Sequence, residues 1–343
     1  MDFLAVGDTV VDDFIRLKDA TVHCNIDHEA CEISMRWGDK IPYEFHKLIP
    51  AVGNAANAAV SAARLGVSSA FRAYVGKDAY GAQCLDALRK EGIDTTYVET
   101  VEGKFTNYHY VLWFESQRTI LVKHEQFDYR APTLATAPKW LYLSSLGETS
   151  LPYHHALMDM LKKYPECKLA FQPGTYQINF SEHWVNHKED FADVYARTEI
   201  FFCNKEEAER ILDKPTGSDL KDLLRSIKAL GPKMIVITDD ARGAYSIDES
   251  GAMLHCPRYP DPRAPYEITG AGDALASTTT VALSLGKDLA TALQWGATNA
   301  SAVLQKIGAQ EGLLTREQLE KNLANPPAPF VVESLDNSPG KAS

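Results

Sequence analysis

Apolar runs of strand length alternate with helix-length segments along much of the chain. Residues 3–6 read as a strand, 55–65 as an Ala-rich helix closed by Gly66, 70–75 as a strand and 80–90 as a helix. The rhythm returns in strands at 140–143, 169–171, 200–203 and 234–238, with helices near 154–163, from Lys205 and over 220–230. Such alternation predicts an α/β fold: a mostly parallel sheet with helices on both faces. Leu141-Tyr142-Leu143 and Ile235-Val236-Ile237 are apolar at every position, as central strands buried on both sides are. After Thr269 two long helices, near 271–285 and 289–306, close the unit.

Two stretches break the rhythm. Residues 13–50 and 96–124 carry strand-like, aromatic-rich text (41–45, 108–114, 119–122) with no helix between. They predict a small antiparallel excursion from the main sheet, a candidate lid. Tyr110, Trp113 and Phe114 fall there as strand residues that pack a lid or a dimer interface. Residues 1–325 are expected to form one domain, and 326–343, with Pro326, Pro327, Pro329, Pro339 and Gly340, a flexible tail.

Composition narrows the function classes. With 45% hydrophobic and 24% charged residues, the 343-residue chain can bury a substantial core. Its 46 acidic against 35 basic residues give a net charge of −11, which repels nucleic acid and acidic lipid in the absence of a basic cluster. No run of about 18 apolar residues occurs, and MDFLAVGDTVVDD lacks the basic and apolar regions of a signal peptide, so neither membrane nor secretion is expected and the location reads as cytoplasmic. Six scattered cysteines without a CxxC pair suit reduced thiols. The sequons at Asn179 and Asn299 then read as chance. Two His and two Cys between His23 and Cys31 lack the spacing of a structural zinc site, and His154-His155 reads as a solvated helix start.

Candidate chemistry concentrates in four segments. Ile268-Thr269-Gly270-Ala271-Gly272-Asp273-Ala274 stands directly before a long helix. Two glycines one residue apart permit a tight turn that exposes successive N–H groups, an anion hole. Asp273 is then either a first-turn residue offsetting the helix dipole or a general base held beside that hole. Leu275 stands where a dinucleotide fingerprint needs its third small residue, and no GxxxxGK[ST] motif occurs. Asp12, just past the strand at 3–6, either caps a turn or takes two hydroxyls of a polyol through its two oxygens. Gly53 and Asn57 open the Ala-rich helix, where small residues allow close packing and a buried amide needs partners that a substrate can supply. Asn204 with Glu207 forms a capping box, which a structural role alone explains.

Together with Val75-Gly76-Lys77-Asp78-Ala79-Tyr80-Gly81, these segments stand in the order and at about the spacing of the PfkB carbohydrate kinase (ribokinase-like) family, and residues 3–322 resemble it. The resemblance implies a ribokinase-like fold with a β-lid, and an ATP-dependent phosphotransferase acting on a primary hydroxyl of a sugar or nucleoside. It casts Asp273 as catalytic base, Gly270, Ala271 and Gly272 as anion hole, and Asp12, Gly53 and Asn57 as acceptor ligands. It gives Asn204 and Glu207 to Mg²⁺ and the ATP phosphates through water, and Thr238 and Gly243 to the nucleotide. Glu267 stands where many relatives have an Asp at a monovalent-cation site, so potassium activation is not carried over directly. Val52 replaces a usual glycine before Gly53, and Asp240 replaces one near the phosphates, with Arg242 at hand to offset it. Lid pairing into a homodimer is a further expectation of the resemblance. A catalytically silent nucleotide- or sugar-binding protein on the same fold is the competing reading, motivated by Asp240 and Glu267.

Overall fold

The computed structural model describes residues 1–24, 31–178 and 188–335. In chain order its first half comprises β1 (Phe3–Val6), β2 (Val10–Leu17), β3 (Thr21–His23), β4 (Glu32–Ser34), β5 (Tyr43–Val52), α1 (Asn54–Arg64), β6 (Ser69–Gly76), α2 (Ala79–Lys90), β7 (Val98–Val101), β8 (Asn107–Phe114), β9 (Gln117–Leu121) and β10 (Trp140–Leu143). The second half comprises α3 (Leu151–Leu161), β11 (Lys168–Phe171), α4 (Ala192–Arg197), β12 (Thr198–Asn204), α5 (Lys205–Ile211), α6 (Leu220–Lys228), β13 (Met234–Thr238), β14 (Ala244–Ile247), β15 (Met253–Cys256), α7 (Ala271–Ser284), α8 (Leu289–Val303), α9 (Arg316–Ala324) and β16 (Glu333–Ser334).

Ten strands form the main sheet in the order β16-β15-β14-β13-β12-β11-β10-β1-β6-β7. Pairing is parallel from β7 to β13 and antiparallel beyond it. The alternation of side chains along a strand splits the core in two. Phe3 and Ala5 of β1 face the cluster under α1, α7 and α8, while Leu4 and Val6 face the cluster under α3 and α6. Both sets are fully buried, which is why this strand is apolar at every position. Small residues let α1 and α7 approach closely enough for Ser61 and Thr278 to share a hydrogen bond of 3.2 Å.

The lid sheet runs β5-β2-β8-β9. It differs from the expected antiparallel excursion at one pairing, since β2 and β8 are parallel, with Asp12 opposite His109. The cause is topological: β2 and β8 follow β1 and β7, which point the same way in the main sheet, and both continue in that direction. Three other expectations are corrected. Cys24 and Cys31 are disulfide-bonded, because β3 and β4 pair with His23 opposite Glu32 and bring the flanking cysteines face to face; the other four cysteines are free and buried. His154 is fully buried, its Nδ1–H donating to the Ser150 carbonyl at 2.8 Å, and burial pushes its pKa down to about 4. Residues 326–335 do not run free as expected, since Phe330 is buried against Tyr259 and β16 pairs with β15; residues 336–343 lie outside the described residues. Asn299 is fully buried, and its amide donates to Thr278, so that sequon is inaccessible; Asn179 lies outside the described residues. Among the described residues no helix is long and apolar enough to cross a membrane.

Candidate active site

The candidate residues gather at the carboxyl ends of the parallel strands, under the lid. Gly270 caps α7 in the left-handed region at φ 85°, and a Cβ there would stand 2.2 Å from the Ala309 Cβ. Both constraints require glycine. At Gly272 a Cβ would meet nothing within 4 Å, and the residue is exposed, so the first turn of α7 is open on this side.

Asp273 projects from this turn and is held from both sides. Its Oδ2 accepts from the Asn57 amide at 2.7 Å and its Oδ1 from the Gln172 amide at 3.0 Å. Gln172 is oriented in turn by the buried Tyr142 hydroxyl, which donates to its Oε1, and Asn57 by Gln310 Nε2, which donates to its Oδ1 at 2.9 Å. Both amides therefore present N–H, not oxygen, to the carboxylate. Burial lifts the Asp273 pKa above its ordinary value, Asn57, Gln172 and the charge of Arg118 pull it back, and Asp12 raises it further. A base stronger than an ordinary carboxylate, fixed in direction, is suited to take a proton from a hydroxyl.

Asp12 is buried on β2 with His109 Nδ1 3.3 Å from its Oδ1, yet that oxygen has no hydrogen-bond donor. An unsatisfied buried carboxylate oxygen is an acceptor open to a ligand's hydroxyl. Behind it runs a polar chain that sequence reading missed: His109 Nε2 meets His124 Nε2 at 3.2 Å, His124 Nδ1 lies 3.3 Å from Asp8 Oδ2, and Tyr129 donates to Asp8 at 2.9 Å. Gly53 caps α1 at φ 108°, where a Cβ would sit 2.9 Å from the Asp8 carbonyl.

On the other side of Asp273, Asn204 caps α5 in the expected box: Glu207 N–H donates to its Oδ1 and Asn204 N–H donates to Glu207 Oε2, both at 2.8 Å. Burial pushes the Glu207 pKa up to about 7, opposed by that N–H and aided by the charges of Asp273 and Glu206. Glu207 and Asp273 thus lie in each other's field, a carboxylate pair that a divalent cation would relieve. Thr238 is register partner to Asn204 on the neighbouring strand. Gly243, at φ 92°, lies so close to the next strand that a Cβ would fall 2.3 Å from the Cys256 carbonyl.

Two departures from the family pattern take definite form. Arg242 gives its hydrogen bonds to Asp239, forking onto it at 2.6 and 2.9 Å, and offsets Asp240 through charge alone, while Asp240 takes the left-handed φ of 44° that makes glycine usual there. Glu267 is fully buried and its oxygens are engaged, Oε1 by the Thr269 N–H and hydroxyl at 2.8 and 2.6 Å and Oε2 by the Gly308 N–H at 3.2 Å. Gln172 was the legible omission, since it directly follows β11 at a carboxyl strand end. Arg118 had no such signal.

The family model for the pfkB family carbohydrate kinases matches residues 23–316. The 5-dehydro-2-deoxygluconokinase of Bacillus subtilis is 24% identical over 78% of this chain and 85% of its own length. The ribokinase of the same organism is 26% identical over 79% and 87%. The solved structure of Arabidopsis thaliana ribokinase complexed with ribose and ATP superposes with a TM-score of 0.76 at 18% identity, covering 94% of this chain and 98% of the other, and so shares its fold.

Proposed function

The chain belongs to the pfkB family of carbohydrate kinases, and on that premise we propose that it transfers the γ-phosphate of ATP to a primary hydroxyl of a sugar or nucleoside. The observation that carries this is Asp273, a carboxylate with raised pKa fixed by two amides at the open first turn of α7.

Asp12 accepts hydroxyls of the acceptor through its undonated Oδ1, beside Gly53 and the second N–H of Asn57. The primary hydroxyl then faces Asp273, which takes its proton as the oxygen attacks. The N–H groups of Gly270, Ala271 and Gly272 aim at the transferring group, where the helix dipole favours negative charge. Thr238 and Gly243 line the nucleotide side, and Asn204 with Glu207 would hold Mg²⁺ there. When bound with ATP, Mg²⁺ would neutralise part of the phosphate charge. A monovalent cation beside Glu267 has to compete with three donors already on that carboxylate. What supports this over the silent-binder reading is a carboxylate held by two amides at the open start of a helix, an arrangement suited to a site where a proton moves.

In the same reading residues 1–325 act as one cytoplasmic kinase domain, and two copies pair through lid residues that expose apolar side chains, among them Tyr43, Tyr110 and Leu121. The direct test is ADP formation from Mg·ATP over a panel of ribose, fructose, 5-dehydro-2-deoxygluconate, adenosine and cytidine. Turnover of at least one is expected; ATP binding with no turnover of any acceptor returns the protein to the silent reading.

A further inference from the structure

Among the described residues, the inner face of the lid carries in Arg118 a cation without an assigned task. Strand register puts Arg16, Trp113 and Arg118 in one row across β2, β8 and β9. Arg16 is occupied: its guanidinium lies 4.4 Å over the Trp113 ring, donates to the Glu115 carbonyl and sits 3.8 Å from Glu44. Arg118 has no ion pair among the described residues, and its buried Nε has no hydrogen-bond partner. A guanidinium nitrogen shut off from water with no acceptor is unfavourable, and a ligand that brings an anion to the half-buried group relieves it.

The surroundings say where that ligand lies. Trp113, next to Arg118 in the row, packs edge-on against Tyr266 at 5.2 Å, in the segment that leads through Thr269 into Gly270. The positive charge of Arg118 is felt at Asp273. Neither glycine-bearing segment of the site, residues 51–59 or 268–276, contains a Lys or Arg, so the anion hole offers dipoles but no full charge. The other arginines on this side are spent, Arg242 on Asp239 and Arg258 on Asp261.

Resting on the kinase reading above, we infer that Arg118 is a further catalytic residue, a lid-borne cation that contacts the transferring phosphoryl group when acceptor and nucleotide are in place. In the step it serves, the bond from the γ-phosphorus to the β,γ-bridging oxygen breaks and one to the acceptor oxygen forms. The hydroxyl proton passes to Asp273, and the bridging pair leaves on ADP. Arg118 exchanges no proton; it stabilises charge on the moving group and makes turnover depend on lid closure. An acceptor carboxylate is the other anion a lid arginine can read. The phosphoryl group is favoured because the charge is felt at the residue that deprotonates the attacking hydroxyl.

The test compares wild type with Arg118→Gln and Arg118→Lys, using the best acceptor of the panel. Binding of ADP with aluminium fluoride, a mimic of the transferring group, is measured by calorimetry beside ADP alone. For Arg118→Gln the expected result is kcat lower by about 10²–10³-fold, affinity for ADP–aluminium fluoride reduced to a similar degree, and ADP affinity, acceptor KM and melting near wild type. Arg118→Lys should recover part of both losses. Unchanged affinity for ADP–aluminium fluoride would overturn the inference, as would a loss confined to the KM of acceptors bearing a carboxylate. A wild type that turns over no acceptor overturns the kinase reading and this one with it; an active wild type with an unaffected Arg118→Gln overturns this one alone.

Discussion

Glu207 offers a way to separate a structural cap from a metal-facing carboxylate, because its two roles respond oppositely to pH. Burial, with Asp273 and Glu206 nearby, pushes its pKa up to about 7 from an ordinary 4.5. At 1.36 kcal/mol per pKa unit, ionising it in the folded state costs at most about 3 kcal/mol, and less to the extent that water reaches the partly exposed side chain. The folded protein holds this proton more tightly than the unfolded chain, so the stability it contributes is full below pH 4.5, falls as pH rises from 4.5 to 7, and is gone above 7. Glu207→Gln keeps an oxygen to accept the Asn204 N–H, so the capping box survives and only the titration disappears. Urea unfolding in EDTA should find the variant close to wild type at pH 5 and more stable by roughly 1–3 kcal/mol at pH 8. Mg²⁺ should raise wild-type stability at pH 8 but not at pH 5, and should not raise the variant's. Stability curves for the two proteins that run parallel from pH 5 to 8, with equal responses to Mg²⁺, would refute the reasoning and leave Glu207 a cap.

Other expectations follow from single contacts. Asp12→Ala removes charge-assisted hydrogen bonds to acceptor hydroxyls, about 1.5–3 kcal/mol, so steady-state kinetics should show an acceptor KM raised about ten- to a hundredfold and an ATP KM near wild type; an unchanged acceptor KM removes Asp12 from the site. Gly270→Ala forces a Cβ onto Ala309 at a left-handed φ and should cost more than about 2 kcal/mol in thermal or urea melting; a variant as stable as wild type would show that the α7 entry relaxes freely. Because Glu267 is already engaged by Thr269 and Gly308, replacing sodium by potassium at equal ionic strength should change kcat by less than about threefold. Strong selective stimulation by potassium would contradict this.

What the sequence made legible, and what it hid, follows from the range of the interactions involved. Phe3–Val6, Trp140–Leu143 and Met234–Thr238 could be read residue for residue, because strands buried on both faces leave unbroken apolar runs. Gly270 and Gly53 were legible because a left-handed turn before a helix selects glycine locally. The parallel β2–β8 pair was not, since it depends on where two distant segments leave the main sheet. The Cys24–Cys31 bond escaped for a similar reason: only hairpin register brings the sulfurs together. His154 looked solvated beside His155, yet helix phase turns one inward against Phe171 and Phe191 and leaves the other facing Asp193. Gln172 and Asn57 could each be placed at an element end, but that both amides converge on Asp273 is a fact of packing across more than a hundred residues of chain.

The most direct test of the assignment of Asp273 is Asp273→Asn, with steady-state kinetics, ligand binding and thermal melting measured on the same preparation. The substitution keeps size and hydrogen-bonding shape but removes proton-accepting power. General-base catalysis predicts ATP and acceptor affinities within a few-fold of wild type and turnover lower by roughly 10²–10⁴-fold. A residue serving only the helix dipole would instead cost a few tenths to about 1 kcal/mol of stability and leave turnover nearly intact. Activity within about threefold of wild type, with ligands still bound, would contradict the catalytic role of Asp273.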